Sequence, residues 1–225
     1  VGFTVPLTIF GALAIKTFQD IERQIIDLRK VYGDFGTSKA EVDRVTESIR
    51  ELSGELTSLG FTAKDTLALA ADAAAIGFTG DDLSNVVTKA TEMAALGMMT
   101  QAEALNTVIS LNSAFGVSVD NLGAELNVLN AIENQTVLSL QDMAEAIPIT
   151  ATVIQGLGGD VRDLAVFLTA MREGGINANE AANSLKTSLA RLITPTKQAI
   201  KTAEQFGISL ENIVAQNEGD VMGMI

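Results

Sequence analysis

Five short glycine-containing turns constrain the fold of this chain more than any other sequence feature. Each turn has a glycine, then an apolar residue, then a serine, threonine or asparagine. Glycine readily adopts the left-handed conformation that closes a helix, and the polar side chain can cap the next helix. The pattern therefore predicts many short helices with sharp ends. The five turns are Gly60-Phe61-Thr62, Gly77-Phe78-Thr79, Gly116-Val117-Ser118, Gly175-Ile176-Asn177 and Gly207-Ile208-Ser209.

Apolar periodicity between these turns predicts an all-α protein made of a helical hairpin or coiled-coil segment followed by a bundle of short Ala-rich helices. Apolar residues make up 47% of the chain and aromatic residues only 4%, so small side chains must dominate the core. No stretch alternates long enough to predict a strand. Beyond residue 118, helices are predicted over 119–132, 139–156, 160–173, 177–193, 196–206 and from 210. Pro148 should kink or split the second of these.

Two segments near the start carry apolar residues in alternating steps of three and four. That spacing is typical of a coiled-coil seam, and each run covers about three heptads. The seam can close within one chain as a hairpin or can join identical subunits, and both interpretations stay open. The predicted seam residues are Phe18, Ile21, Ile25, Leu28, Tyr32, Val42, Val45, Ile49, Leu52, Leu56 and Leu59. Between the two runs, Ser38 and Glu41 have capping-box spacing.

The composition argues against most catalytic chemistry. There is no His and no Cys, which excludes nucleophile–imidazole systems and the common zinc sites from this segment. A carboxylate pair remains formally possible, with Glu133 and Glu173 the first residues to inspect. Most acidic residues lie at helix starts or between apolar stripes, as solvated faces require. We therefore predict no enzymatic activity, no catalytic residues, no cofactor and no metal site.

The charge balance is acidic, with 28 acidic and 15 basic residues and a net charge of −13. Sequence-independent nucleic-acid binding depends on Lys and Arg, so we predict no tight binding to DNA or RNA. The chain starts at Val1 without an initiator Met, which indicates a fragment of a longer protein. We expect two parts: long heptad-patterned helices over 1–60, as a hairpin or an oligomeric coiled coil that forms or joins an elongated part, and a compact multi-helix module over 61–225.

A string of residues near the end resembles the signature of the tailed-phage tape measure family. It runs from Gly174 to Leu192 and closes with Thr194-Pro195-Thr196. Two other segments are similar to neighbouring family elements: Phe206-Gly207-Ile208-Ser209, and a lead-in that starts at Thr4-Val5-Pro6-Leu7. At Phe18-Gln19 the family usually has Phe-Glu. The positions that match the family motif are Gly175, Ile176, Ala181, Leu185, Lys186, Leu189, Leu192 and Pro195.

The resemblance implies a long, largely helical structural protein in the tail tube interior or tail tip of a phage or phage-derived particle. Such a protein sets tail length and takes part in tail assembly and genome ejection. The implied partners are other copies of itself (as a trimer or hexamer), tail tube and tail-tip proteins, assembly chaperones and the host envelope. Two alternatives stay open: a helical protein-binding adaptor with an exposed apolar groove, and a membrane-active segment in which residues 1–18, the first 15 of them uncharged, aid DNA entry.

Overall fold

A computed structural model describes residues 7–33 and 38–216, with side chains from residue 19 onward except at 211 and 214. Within those ranges every regular element is a helix, which confirms the all-α prediction. Sequence features at 1–6, 34–37 and 217–225, and the side chain of Phe18, lie outside the described part.

The helices follow one another with short connections. They are α1 (Leu7–Gly33), α2 (Lys39–Leu56), α3 (Ala63–Ile76), α4 (Gly80–Gly97), α5 (Gln101–Ser113), α6 (Leu122–Gln135), α7 (Leu140–Gly156), α8 (Val161–Glu173), α9 (Ala178–Ile193), α10 (Lys197–Gln205) and α11 (Leu210–Gln216). Short 3₁₀ turns precede Gly60 and Leu122. The predicted helix 119–132 begins three residues later than expected, because 119–121 forms the second of these 3₁₀ turns.

The predicted turn glycines close helices as expected. All five have positive φ, between 71° and 116°, where an L-residue with a Cβ is strained. At the turn after α8, the Ile176 N–H donates to the Met171 carbonyl at 3.0 Å, and the Gly175 N–H donates to the Arg172 carbonyl at 2.9 Å. This pair of bonds satisfies carbonyls that the helix end would otherwise leave open. Asn177 then caps α9 by accepting from the Glu180 N–H at 2.8 Å.

Contacts group the chain into two compact units, the first ending at Ala95 and the second beginning at Leu96. In the first unit, α1 and α2 pack against each other and both pack against α3. Ion pairs tie the same helices, from Arg29 to Asp43 at 3.1 Å and from Lys64 to Asp20 at 3.8 Å. The predicted boundary at residue 60 therefore falls inside the first unit, because α3 covers the hairpin that precedes it.

The second unit is built around α7 and α9. Helix α9 packs on α7 and α8, and α5 packs on the other part of α7. Eight of the seventeen residues of α7 are buried, on more than one side of the helix. A helix with apolar residues on several sides needs neighbours on several sides, so α7 is the central helix of this unit.

Pro148 lies inside α7 without splitting it, so the predicted split does not occur, and a kink at this position stays a prediction. Helix α7 is continuous from Leu140 to Gly156. Proline has no N–H, so the carbonyl four residues earlier, that of Ala144, loses its partner within the helix. The Thr107 hydroxyl of α5 lies 3.3 Å from that carbonyl oxygen and donates to it. A neighbouring helix thus supplies the hydrogen bond that proline removes.

Candidate functional site

The predicted seam residues of the hairpin are mostly buried inside the first unit. Leu28, Tyr32, Val45, Ile49 and Leu56 are at most 6% exposed. The half-buried members are Ile21, Ile25, Val42 and Leu52, whereas Leu59 is 41% exposed. This arrangement agrees with a hairpin that closes within one chain. Their role as a seam between subunits stays a prediction.

Tyr32 joins the hairpin to a later part of the first unit. Its side chain is 2% exposed, and its hydroxyl oxygen accepts a hydrogen bond from the Gly80 N–H at 2.8 Å. Gly80 is the first residue of α4, whose leading N–H groups have no partner within the helix. Periodicity in the sequence placed Tyr32 on the apolar seam but gave no sign of this polar contact.

The capping box predicted at Ser38 forms in only one direction. The Glu41 N–H donates to the Ser38 hydroxyl at 3.2 Å. The Glu41 carboxylate does not return the bond; it accepts from Arg44 at 2.7 Å instead. That side-chain hydrogen bond, with the positive charge of Arg44, lowers the pKa of Glu41.

The residues that match the family motif build the connection from α8 through α9 to α10. Ala181, Leu185 and Leu189 are buried on the face of α9 that packs against α7 and α8. Lys186 is exposed and Leu192 is half-buried. The remaining three motif positions lie in turns: Gly175 and Ile176 before α9, and Pro195 after it. Their positions explain the motif as a packing and turn pattern, and a direct role in binding stays a prediction.

The two carboxylates singled out for catalysis lie in different surroundings. The Glu133 carboxylate accepts from the Leu140 N–H at 2.9 Å and so helps to satisfy the start of α7. Glu173 is exposed at the end of α8. In the described ranges, no group of three or more acidic side chains is placed to hold a metal ion.

A groove lies between α5 and α7 in the second unit. Its volume is about 260 Å³. Apolar atoms of Met99, Ile109, Ala144 and Pro148 line it, together with polar residues that include Glu103 and Glu145. The sequence pattern describes each helix alone, so it did not indicate that α5 and α7 would form this groove.

A capping box with Thr100 holds Glu103 at the edge of this groove. Its carboxylate accepts from the Thr100 N–H at 2.9 Å and from the Thr100 hydroxyl at 2.8 Å. The Thr100 hydroxyl in turn accepts from the Glu103 N–H at 3.2 Å. The backbone hydrogen bond, followed by the hydroxyl bond, lowers the pKa of Glu103, so this edge of the groove carries a fixed negative charge.

Three methionines, at positions 93, 98 and 99, differ sharply in exposure. Met93 and Met99 are buried, at 1% and 7%, as core filling predicts, whereas Met98 is 92% exposed. Met98 also has a positive φ of 49°. The adjacent Gly97 has little space for a side chain, because an added Cβ would overlap the Met99 side chain and lie 3.2 Å from Leu140 Cβ. Close packing therefore requires glycine at position 97, and the left-handed backbone conformation falls on Met98.

A search of the described helices for a membrane-crossing segment finds none that is both long and apolar enough. The segment over 1–18, considered above as membrane-active, overlaps α1 only from Leu7, and its side chains lie outside the described part.

Two phage proteins align with almost the whole of this chain. The chain is similar to the tape measure protein of Pneumococcus phage Dp-1, with 25% identity over 206 residues that cover 92% of this chain and 17% of that protein. It is similar to the probable tape measure protein of Escherichia phage P2, with 23% identity over 208 residues that cover 92% of this chain and 25% of that protein. The chain thus spans about a sixth to a quarter of the length of these relatives. No solved structure matches it.

The family comparison covers most of the chain. A model described as phage-related minor tail protein matches residues 46–225, a range that includes α3 to α11 and the motif positions of α9. The chain therefore belongs to the family of phage-related minor tail proteins.

Proposed function

We propose that this chain is a folded segment of a tape measure protein, a structural protein that sets tail length within the tail tube and takes part in tail assembly and genome ejection. The observation that carries the proposal is the alignment of 92% of the chain with each of two tape measure relatives from different phages. Family membership supports association with phage tails. The more specific role in setting tail length needs its own test.

The segment itself is better suited to a folded module than to a measuring rod. A continuous helix rises about 1.5 Å per residue, so 225 residues would extend about 340 Å. The described helices are far shorter: α1, with 27 residues, would span about 40 Å. Left-handed glycines end several of them, and the helices fold back on one another within each unit. We propose that the rod lies in other parts of the longer protein and that the folded helices of this chain dock at one end of the tail.

The proposed partners follow from this location. They are other copies of the chain (as a trimer or hexamer), tail tube and tail-tip proteins, tail assembly chaperones and, at infection, the host envelope. A net charge of −13 disfavours tight binding to DNA that shares the tube, because like charges repel. We propose no enzymatic activity for the segment.

Tail-length measurement in an assembled phage tests the proposal. The part of the gene that encodes this segment is deleted from a phage that carries such a protein, and tails are measured by electron microscopy. A folded module predicts failed assembly, or tails shortened by much less than 340 Å. Shortening by about 340 Å would contradict the module and assign the segment to the rod. A deletion of equal length in a heptad-rich part of the same protein is the matched control.

Mass spectrometry of purified tails separates tail location from length determination. We expect peptides of this segment in tails from wild-type particles. Their absence from tails, with the protein present in infected cells, would contradict the proposed location whatever the length measurement shows.

A further inference from the structure

The charges of the second unit are segregated along the chain. Residues 96–160 contain seven acidic residues and no Lys or Arg, whereas residues 181–203 contain four basic residues and no Asp or Glu. The basic residues, Lys186, Arg191, Lys197 and Lys201, are all exposed. None of the four makes an ion pair with the residues that the structure describes, although seven other cations do.

The basic end also carries apolar side chains that the described residues leave exposed. Helix α10 has no fully buried residue. Directly after it, Phe206 is 78% exposed and Ile208 is 46% exposed. An exposed aromatic side chain that follows two lysines is typical of an interface anchor. The Phe side chain supplies buried apolar area, and the positive charges of the lysines orient the partner.

The groove between α5 and α7 has the complementary character. Its apolar lining includes Ile109, Ala144 and Pro148, and Glu103 and Glu145 add negative charge from opposite helices. A volume of about 260 Å³ is large enough for one phenyl ring. The hydrogen bonds from Thr100 hold Glu103 ionised and in place, so a basic partner meets a preorganised carboxylate.

We propose that Phe206 of one copy inserts into the α5–α7 groove of a second copy, with Lys197 and Lys201 next to the groove carboxylates. A second copy is the expected occupant because one chain carries two complementary surfaces, an acidic groove with apolar lining and a basic helix end with exposed apolar side chains. The two surfaces differ, so the contact is head-to-tail and propagates into a ring or a chain of copies. Glu204, on the same helix, faces outward near the lysines and weakens the attraction.

Complementary variants test this head-to-tail contact. Phe206→Ala removes the anchor and keeps the groove, and the mutation should leave the fold intact because the side chain is exposed. The double variant Asn106→Lys/Glu145→Lys adds positive charge to the groove and keeps the anchor. Both positions are exposed, and neither side chain takes part in a cap. Light scattering over a range of concentrations measures the mass of each protein alone and of their mixture.

We expect the wild-type mass to rise with concentration and each variant to associate at least about 30-fold more weakly, as for loss of an interface anchor. An equal mixture of the two variants should form a 1:1 dimer and stop there, because it contains one intact anchor and one intact groove. Raising the salt concentration should weaken both assemblies. Ile26→Ala, which removes a 61% exposed apolar side chain from α1, is the matched control and should associate like wild type.

Three results would overturn the proposal. The wild type could stay monomeric throughout, the variants could associate as well as wild type, or the mixed variants could stay monomeric. Association that survives in both variants would point instead to the hairpin residues as the contact. If Lys197→Glu/Lys201→Glu lost binding to a DNA duplex while self-association was unchanged, the basic end would be a nucleic-acid surface. The proposed tail location is tested separately, by mass spectrometry of purified tails, so either proposal can fail while the other holds.

Discussion

The hydrogen bond from Thr107 to the Ala144 carbonyl allows a direct test of how α7 accommodates Pro148. Thr107 is fully buried and Ala144 is 7% exposed, so water cannot easily replace the hydroxyl. Thr107→Val keeps the shape of the side chain and removes the donor. A buried acceptor left without a partner costs about 1–3 kcal/mol. The distance is long, 3.3 Å, and the hydroxyl also lies 3.0 Å from the Glu103 carbonyl, so we expect the low end, about 1 kcal/mol.

The same substitution should cost less once proline is gone. In a Pro148→Ala background the chain regains an N–H that can donate to the Ala144 carbonyl, so the Thr107 hydroxyl is no longer its only donor. Pro148→Ala alone should stabilise the second unit by about 2–2.5 kcal/mol. This figure is the helix penalty of proline, about 3 kcal/mol, reduced by the entropy that proline removes from the unfolded chain.

Urea denaturation followed by circular dichroism, for wild type, both single variants and the double variant, gives the coupling free energy between the two positions. We expect about 1 kcal/mol. Thr150→Val is the control: its hydroxyl donates at 2.8 Å to the Ala146 carbonyl of the same helix, which also accepts the helix N–H, so its cost should not depend on Pro148. Equal costs of Thr107→Val in both backgrounds, within about 0.5 kcal/mol, would refute the compensation.

Three further predictions address other features. Met98→Gly should raise the midpoint of thermal unfolding, because an exposed methionine with a φ of 49° is strained by about 1–2 kcal/mol; a lower midpoint would contradict this. Hydrogen bonds from Thr100 lower the pKa of Glu103 below 4.5, so its ionised form stabilises the fold above that pH and the contribution is lost as the pH falls through the lowered pKa. The stability gap between wild type and Glu103→Gln, measured by urea denaturation, should therefore shrink below about pH 4.5, and a pH-independent gap would count against the cap. A zero-length carbodiimide cross-link should join Lys64 to Asp20, which lie 3.8 Å apart; in a mixture of ¹⁴N- and ¹⁵N-labelled chains, mixed-isotope cross-linked peptides would show that the contact is between copies.

Helix boundaries were predictable because they depend on local chemistry. The starts predicted at 139, 160, 177 and 196 each coincide with the capping residue of the helix that follows. Capping needs only a side-chain oxygen and an N–H three residues away, so the sequence contains the whole interaction. The buried face of α9 was predictable for a similar reason, since its apolar stripe follows the helical period.

Contacts between distant residues could not be predicted in this way. The Tyr32–Gly80 hydrogen bond spans 48 residues, and the partner of the Ala144 carbonyl lies on another helix. The rule that proline breaks helices considers one helix alone, so it did not anticipate that α7 continues through Pro148 with the Thr107 hydroxyl of α5 within 3.3 Å of the Ala144 carbonyl. The groove between α5 and α7 likewise depends on which helices pack together, a property that periodicity within each helix does not determine.

Burial within the hairpin limits how the first 60 residues could join copies of the protein. Leu28, Val45 and Ile49 are at most 3% exposed inside one chain, and burying an aliphatic side chain of this size stabilises by about 1.5–3 kcal/mol. Opening the hairpin to share these three would forfeit about 5–9 kcal/mol, comparable to the entire stability of a typical domain, about 5–15 kcal/mol. An intersubunit seam must therefore bury the same side chains again by exchanging identical helices between copies. A contact through the exposed Phe206 has no such cost, which is why the second unit is the better place to look for self-association.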